Sequence, residues 1–341
     1  MSWTDNFPIF TDEMVDDFQL QATPEERARM EDFYGVERVI AAQQKPHIVT
    51  ISLFWKPVSA TAPELPTPTR DIMLRAIELG LVKRNHPWRD YVQPILDNVP
   101  KLAATYPDVA FRVYLANDLG FLIPDLEAAG CEIYHMKHAS IGFAPGGLWR
   151  ILAFEEEGKL VTMVDADRMA EISFDIERTD IMARSGLGTW RIPVAKDRDN
   201  EGNAAYRPIF AGQMGMKGGL PVRILLEAFT WHTLRGNIPQ TVEMPGCGEL
   251  PARWAEWPNL YFDEWFLALA LYPRLAQAGM ITFLPAGSMS QFLPLDIEYV
   301  TWANPESHIV PFPVGTCCAS KMPGKDFSIP EHLEAVALAA F

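Results

Sequence analysis

Short apolar runs alternate with amphipathic stretches through the first half of this chain, and that alternation limits the fold more than any other feature. The runs are His47–Phe54, Ala110–Leu115, Glu132–His135 and Leu160–Val164, each bounded by proline, glycine or charged residues. Runs so short and rich in β-branched residues read as buried strands. Between them the pattern predicts helices. Thr69 caps one that carries Ile72, Met73, Ala76 and Ile77 on one face and stops at Gly80. A second lies between Pro87 and Ala104, kinked or divided by Pro94 and Pro100. A short helix spans Pro124–Ala129, and another follows Gly146 with Trp149 and Arg150 on it. Strands that alternate with helices give an α/β fold with a mostly parallel central sheet flanked by helices. Upstream, Thr23-Pro24-Glu25-Glu26 combines an N-cap, a proline at the first helical position and a returning glutamate, so a helix starts there. Residues before about 44 read as an N-terminal extension on a single large domain.

The most informative run is Lys159-Leu160-Val161-Thr162-Met163-Val164-Asp165-Ala166-Asp167-Arg168. An apolar strand ends in two carboxylates one residue apart, where an open α/β sheet presents its binding crevice. Two partly desolvated anions so close repel each other unless a cation stands between them. A hard divalent ion does this with oxygen ligands, commonly one or two carboxylates plus substrate phosphates. The plainer reading is that Asp165 and Asp167 cap the following turn. The net charge of −15 argues against nucleic acid as a partner. It also means that a phosphorylated ligand needs a local cation.

With the W-R pair Gly147-Leu148-Trp149-Arg150 upstream of Val164-Asp165-Ala166-Asp167, the chain resembles the GT-A-fold, D-x-D glycosyltransferases of bacterial and viral type. Three further segments carry the likeness. Tyr106-Pro107-Asp108-Val109-Ala110-Phe111-Arg112-Val113-Tyr114 is similar to the family's strand entry. Pro208–Lys217 resembles a P-I-x-G-G-x-x-G loop, with Ala211 in place of the first glycine. Phe262-Asp263-Glu264-Trp265-Phe266-Leu267 resembles D-Q-x-F-L, with Glu264 in place of glutamine. Beyond the helical extension read over residues 1–45, the resemblance implies a nucleotide-sugar-binding half over 46–170 and an acceptor half with the C-terminal segment over 171–341. It also implies a UDP- or GDP-sugar donor, a glycan or glycolipid acceptor, and Mn²⁺ or Mg²⁺ at Asp165 and Asp167. A third ligand near the C-terminus is implied too, for which His308 is the candidate.

On this reading Trp149, Arg150, Asp165, Ala166, Asp167, Gly212 and Gln213 bind the donor. Arg150 meets either phosphate or a nearby carboxylate, or else pairs with Glu155 or Glu156 at the surface. Gly212 and Gly215 allow close backbone approach to the sugar, or form an ordinary turn. Asp263 and Glu264 are the catalytic candidates: one acts as general base if the anomeric centre inverts, and Asp263 holds sugar or acceptor if it is retained. Either could instead be a helix N-cap. Trp254 and Trp257 are candidates for stacking on the acceptor.

Other chemistries leave weaker marks. An aspartate-dependent phosphatase or phosphotransferase also uses an apolar strand ending in D-x-D, but with glycine and threonine or valine following, not Arg168-Met169. A degenerate transferase that only binds glycans or nucleotides is the non-enzyme alternative. His135 and His138 have ligand-like spacing, yet read as a solvated loop. Cys131, Cys247, Cys317 and Cys318 show no C-x-x-C spacing, so neither a zinc site nor a disulfide framework is expected. No apolar run nears the roughly 18 residues of a transmembrane helix, and the acidic start does not read as a secretory signal. A cytoplasmic protein is the expectation.

Overall fold

The computed structural model describes residues 10–55, 70–75, 87–140, 146–184, 189–191, 196–198, 204–206, 213–238, 262–271 and 282–283. Within them the strands are β1 Val36–Ile40, β2 His47–Leu53, β3 Val109–Leu115, β4 Glu132–Met136, β5 Leu160–Val164, β6 Thr189–Arg191, β7 Lys196–Arg198, β8 Ala204–Tyr206, β9 Gln213–Lys217 and β10 Thr282–Phe283. Eight of them form one sheet in the order β1-β4-β3-β2-β5-β9-β6-β10, while β7 and β8 pair separately. Strands β2 to β5 are parallel neighbours, as their apolar runs predict. The sheet as a whole is mixed, because β1 pairs antiparallel with β4 and β9 lies antiparallel between β5 and β6.

The α-helices are α1 Asp12–Gln21, α2 Pro24–Tyr34, α3 Arg70–Leu74, α4 Gln93–Thr105, α5 Ile123–Ala128, α6 Gly146–Trp149, α7 Ser173–Arg184, α8 Val222–Leu234 and α9 Phe262–Phe266. The region is divided near Pro94, where a π-helical turn, Pro87–Val92, gives way to α4, whereas Pro100 sits inside α4 without interrupting it. Thr23 forms its capping box, with Glu26 N–H donating to Thr23 Oγ1 at 3.2 Å and Thr23 N–H to Glu26 Oε2 at 2.9 Å.

Alternate residues of β2 face opposite layers. His47 meets the Thr162 hydroxyl at 2.7 Å, and Thr162 donates to Thr179 of α7, also at 2.7 Å. On the other face, Thr50 and Ser52 meet the 3₁₀ segment Arg150–Glu155. Both faces are therefore covered. β3 is buried at every position, including Arg112. A charge so placed needs partners: Arg112 donates to Glu132 at 2.7 Å and to Glu156 at 2.6 Å, and its guanidinium lies 4.1 Å from the Tyr134 ring centre.

The N-terminal segment is part of this body. Phe10, Phe18, Met30, Phe33 and Tyr34 are core residues, α1 and α2 pack on α8, and β1 extends the sheet. The two histidines read above as a solvated loop are engaged by this same segment. His135 is buried in β4, with Nδ1 3.1 Å from Glu37, and His138 Nε2 lies 3.5 Å from Asp32. The acidic partners come from a stretch about a hundred residues away, so spacing within the pair could not reveal them.

Candidate functional site

The chain builds β3 and β4 on one side of β2 and β5 on the other. Such a reversal opens a crevice at the carboxyl ends of the two diverging strands, here β2 and β5. Arg150 is fastened at that point. Its backbone N–H donates to Ser52 Oγ at 2.9 Å, and its carbonyl accepts from Thr50 Oγ1 at 3.0 Å. The side chain then crosses to β5, where Nη1 donates to Val164 O at 2.9 Å and to Asp165 Oδ1. Nη2 donates to Asp263 Oδ2 at 3.1 Å, from α9, 113 residues further along the chain.

Arg150 is 6% exposed, whereas the side chains of Asp165 and Asp263 are 35% and 21% exposed. Burial disfavours the guanidinium charge, but the two carboxylates outweigh burial and hold its pKa above the ordinary arginine value. One cation between two anions leaves the trio net negative, and Asp167 adds an exposed carboxylate on the 3₁₀ turn Ala166–Arg168. These are oxygen donors in an acidic setting. They suit a hard divalent ion that takes one or two carboxylates and completes its shell with phosphate and water. Among the described residues, no three His, Cys, Asp or Glu side chains gather as an all-protein metal group.

Gly146 permits the close approach of α6 to the end of β2. A Cβ on Gly146 would lie 2.4–2.8 Å from ring atoms of Phe54, so only glycine lets α6 settle on the end of β2. A Cβ on Gly147 would stand 3.6 Å from Asp263 Oδ2, in ordinary contact.

Of the expected donor residues, Arg150 and Asp165 meet directly. Ala166 is buried beside them and Asp167 is exposed. Gln213 reaches the same edge through the sheet, because antiparallel β9 sets it opposite Val164. Gly215 is neither a sugar-facing loop nor a turn: it lies within β9, opposite Thr162 and Trp190. Trp149 is a correction of another kind. It is fully buried, its ring meets Phe54 edge-on at 6.2 Å between centroids, and Nε1 donates to Phe33 O at 2.6 Å. It is a strut behind Arg150 and not a surface a dissolved ligand could touch.

The surface partners considered for Arg150 are engaged elsewhere, Glu155 by Arg223 and Glu156 by Arg112. Glu264 follows Asp263 in α9. Gly212, Trp254, Trp257 and His308 lie outside the described residues.

The residues that motif reading missed are Thr50 and Ser52. Their signal was present: hydroxyls at alternate positions in an otherwise apolar buried strand must find partners. Compared with known proteins, the chain matches no family model and no curated sequence.

Proposed function

We propose that this chain is a metal-dependent glycosyltransferase of GT-A type, moving a sugar from a UDP- or GDP-sugar to a hydroxyl of a glycan or glycolipid. The observation that carries the reading is the buried Arg150, which draws Asp165 and Asp263 together at the carboxyl edge where the sheet changes direction. The parallel strands β2 to β5, followed by reversed β9, support a nucleotide-binding half with an acceptor half beyond it.

Asp165 and Asp167 would hold Mn²⁺ or Mg²⁺, with His308 as a third ligand. The ion would supply neutralising charge for the departing diphosphate. Arg150 fixes the orientation of Asp165 and Asp263 and adds positive charge beside the phosphates. Asp263 already accepts from Arg150 through one oxygen, which favours a role in holding the sugar or acceptor hydroxyl. Glu264 is then the residue left to accept the attacking hydroxyl's proton if configuration inverts. Trp254 and Trp257 would stack on the acceptor.

Among the described residues no helix is long and apolar enough to cross a membrane. Cys131 is a buried thiol outside any disulfide, which suits a reducing compartment such as the cytoplasm.

The test is calorimetric titration with UDP and GDP, with and without Mn²⁺, on the wild type and on Asp167→Asn. Metal-dependent binding weakened at least tenfold by the substitution is the expected result. Binding unaffected by either the metal or the substitution would remove the metal role, and no binding of either nucleotide would remove the glycosyltransferase reading.

A further inference from the structure

We propose that Trp149 is a positioning residue for Arg150, and that its hydrogen bond to the Phe33 carbonyl makes the end of α2 part of the donor site. The inference deepens the reading of Arg150 as a positive group beside the donor's phosphates and rests on it.

A helix leaves its last four carbonyls without partners of its own, and basic side chains in the final turn are one way to meet them. α2 has no basic residue there. Donors from elsewhere in the fold meet its end instead. Phe33 O accepts from Trp149 Nε1 at 2.6 Å and Tyr34 O from Arg223 Nη1 at 2.6 Å. Just beyond, Gly35 O accepts from the Lys137 N–H at 2.9 Å.

Two of these donors grip the segment that carries Arg150. Trp149 immediately precedes the 3₁₀ segment Arg150–Glu155. Arg223 binds the last residue of that segment, donating its backbone N–H to Glu155 Oε1 at 2.9 Å, with its Nε 3.6 Å from Glu155 Oε2. The segment is therefore suspended at both ends from adjacent carbonyls of α2.

It has little rigidity of its own. A 3₁₀ turn bonds with poor geometry, and the four-residue α6 before it is a single helical turn, which does not persist without tertiary support. The orientation of Arg150 is thus set from outside. Ser52 and Thr50 hold its backbone from β2, and Trp149 ties it to α2. Trp149 and Phe33 are 0% and 2% exposed, so water cannot take the place of their bond. α6 also stands beside Asp263, which a Cβ on Gly147 would approach to 3.6 Å. A shift of Trp149 therefore alters the reach of Arg150 to both Asp165 and Asp263.

The test compares the wild type with three variants. In the first, benzothienylalanine replaces Trp149 site-specifically, keeping the ring shape and exchanging N–H for sulfur. Gly35→Ala moves the end of α2 from the other side, because its Cβ would lie 2.7 Å from Lys137 Cδ and closer still to Glu31 O. Tyr34→Phe loosens the same helix end by removing the buried hydroxyl bond to Thr230, and leaves the carbonyls in place. Two quantities are read: the side-chain N–H signals of Arg150 by NMR, assigned by their loss in Arg150→Lys, and the affinity for UDP and GDP at saturating Mn²⁺. The Arg150 signals should shift or broaden in the benzothienylalanine protein and in Gly35→Ala, with nucleotide affinity lowered about threefold to tenfold. Tyr34→Phe should keep both at wild-type values. Gly35→Ala carries the test if the benzothienylalanine protein does not fold.

Unchanged Arg150 signals overturn the inference, whatever the affinities do. Changes of equal size in Tyr34→Phe overturn it too, since they mark a general loosening of α2. Arg150 signals that move while nucleotide affinity holds overturn the assignment of α2 to the donor site. A wild type that binds neither nucleotide removes the glycosyltransferase reading, and the Arg150 signals then decide the positioning by themselves.

Discussion

Replacing Arg150 by methionine probes the central arrangement directly. Methionine keeps the apolar stem and much of the volume, so the cavity contribution is small. What is lost is the guanidinium, with its donations to Val164 O, Asp165 and Asp263. Breaking a buried ion pair from one side costs about 3–5 kcal/mol, because the remaining charge stays behind without compensation. Here the remaining carboxylates are 35% and 21% exposed and can recover some hydration, which places the loss at the low end, about 3 kcal/mol. At about 2.1 cal/mol/K per residue, a chain of this length unfolds with an entropy of about 0.7 kcal/mol/K, so the melting temperature falls by about 4 °C. Urea denaturation and calorimetry read the two quantities independently. Asp263→Asn alone keeps an acceptor for Nη2 and costs about 1 kcal/mol. Combining Arg150→Met with Asp165→Asn and Asp263→Asn removes the stranded charges and restores most of the loss, since buried ion pairs are often replaceable by neutral groups. An Arg150→Met protein within 0.5 kcal/mol of wild type, or a triple variant less stable than the single one by the sum of its parts, would refute the reasoning.

Two further predictions concern other parts of the fold. Burial lowers the His47 pKa to about 4, from an ordinary value of 6.5. The unfolded chain therefore takes up this proton first as pH falls, and the stabilisation present above about pH 6.5 is lost between there and pH 4, at up to about 1.4 kcal/mol per pH unit. His47→Gln should flatten that part of the stability profile measured by urea unfolding between pH 4 and 7; superimposable slopes would contradict it. Gly146→Ala drives a methyl group into the Phe54 ring and should cost about 1–3 kcal/mol, while Gly147→Ala, whose methyl meets only ordinary contacts, should stay within about 0.5 kcal/mol. Equal thermal melts for the two would show that α6 does not depend on that close approach.

Much of this molecule was written in local pattern. Strands β2 to β5 were legible because short apolar runs cannot rest in water, and α2 because Thr23, Pro24 and Glu26 satisfy a helix start within four residues. The position of Asp165 at the carboxyl edge of the sheet followed from the same logic, since a buried strand that ends in a carboxylate must deliver it to an edge. β9 was misread as a loop because Gln213-Met214-Gly215-Met216-Lys217 has a glycine at its centre and weak β character. Pairing with β5 on one side and β6 on the other made it a strand, and that is decided by neighbours.

The sequence by itself determined which segments must hide from water and where carboxylates would emerge, because hydrophobic periodicity acts between residues a few positions apart. Only the tertiary structure decided who meets whom: Arg150 with Asp263 across 113 residues, Trp149 with the carbonyl of Phe33, and Glu37 with His135. A buried guanidinium or indole demands a partner, but many acidic and carbonyl groups along the chain could answer. The choice among them is made by the packing that brings distant segments together.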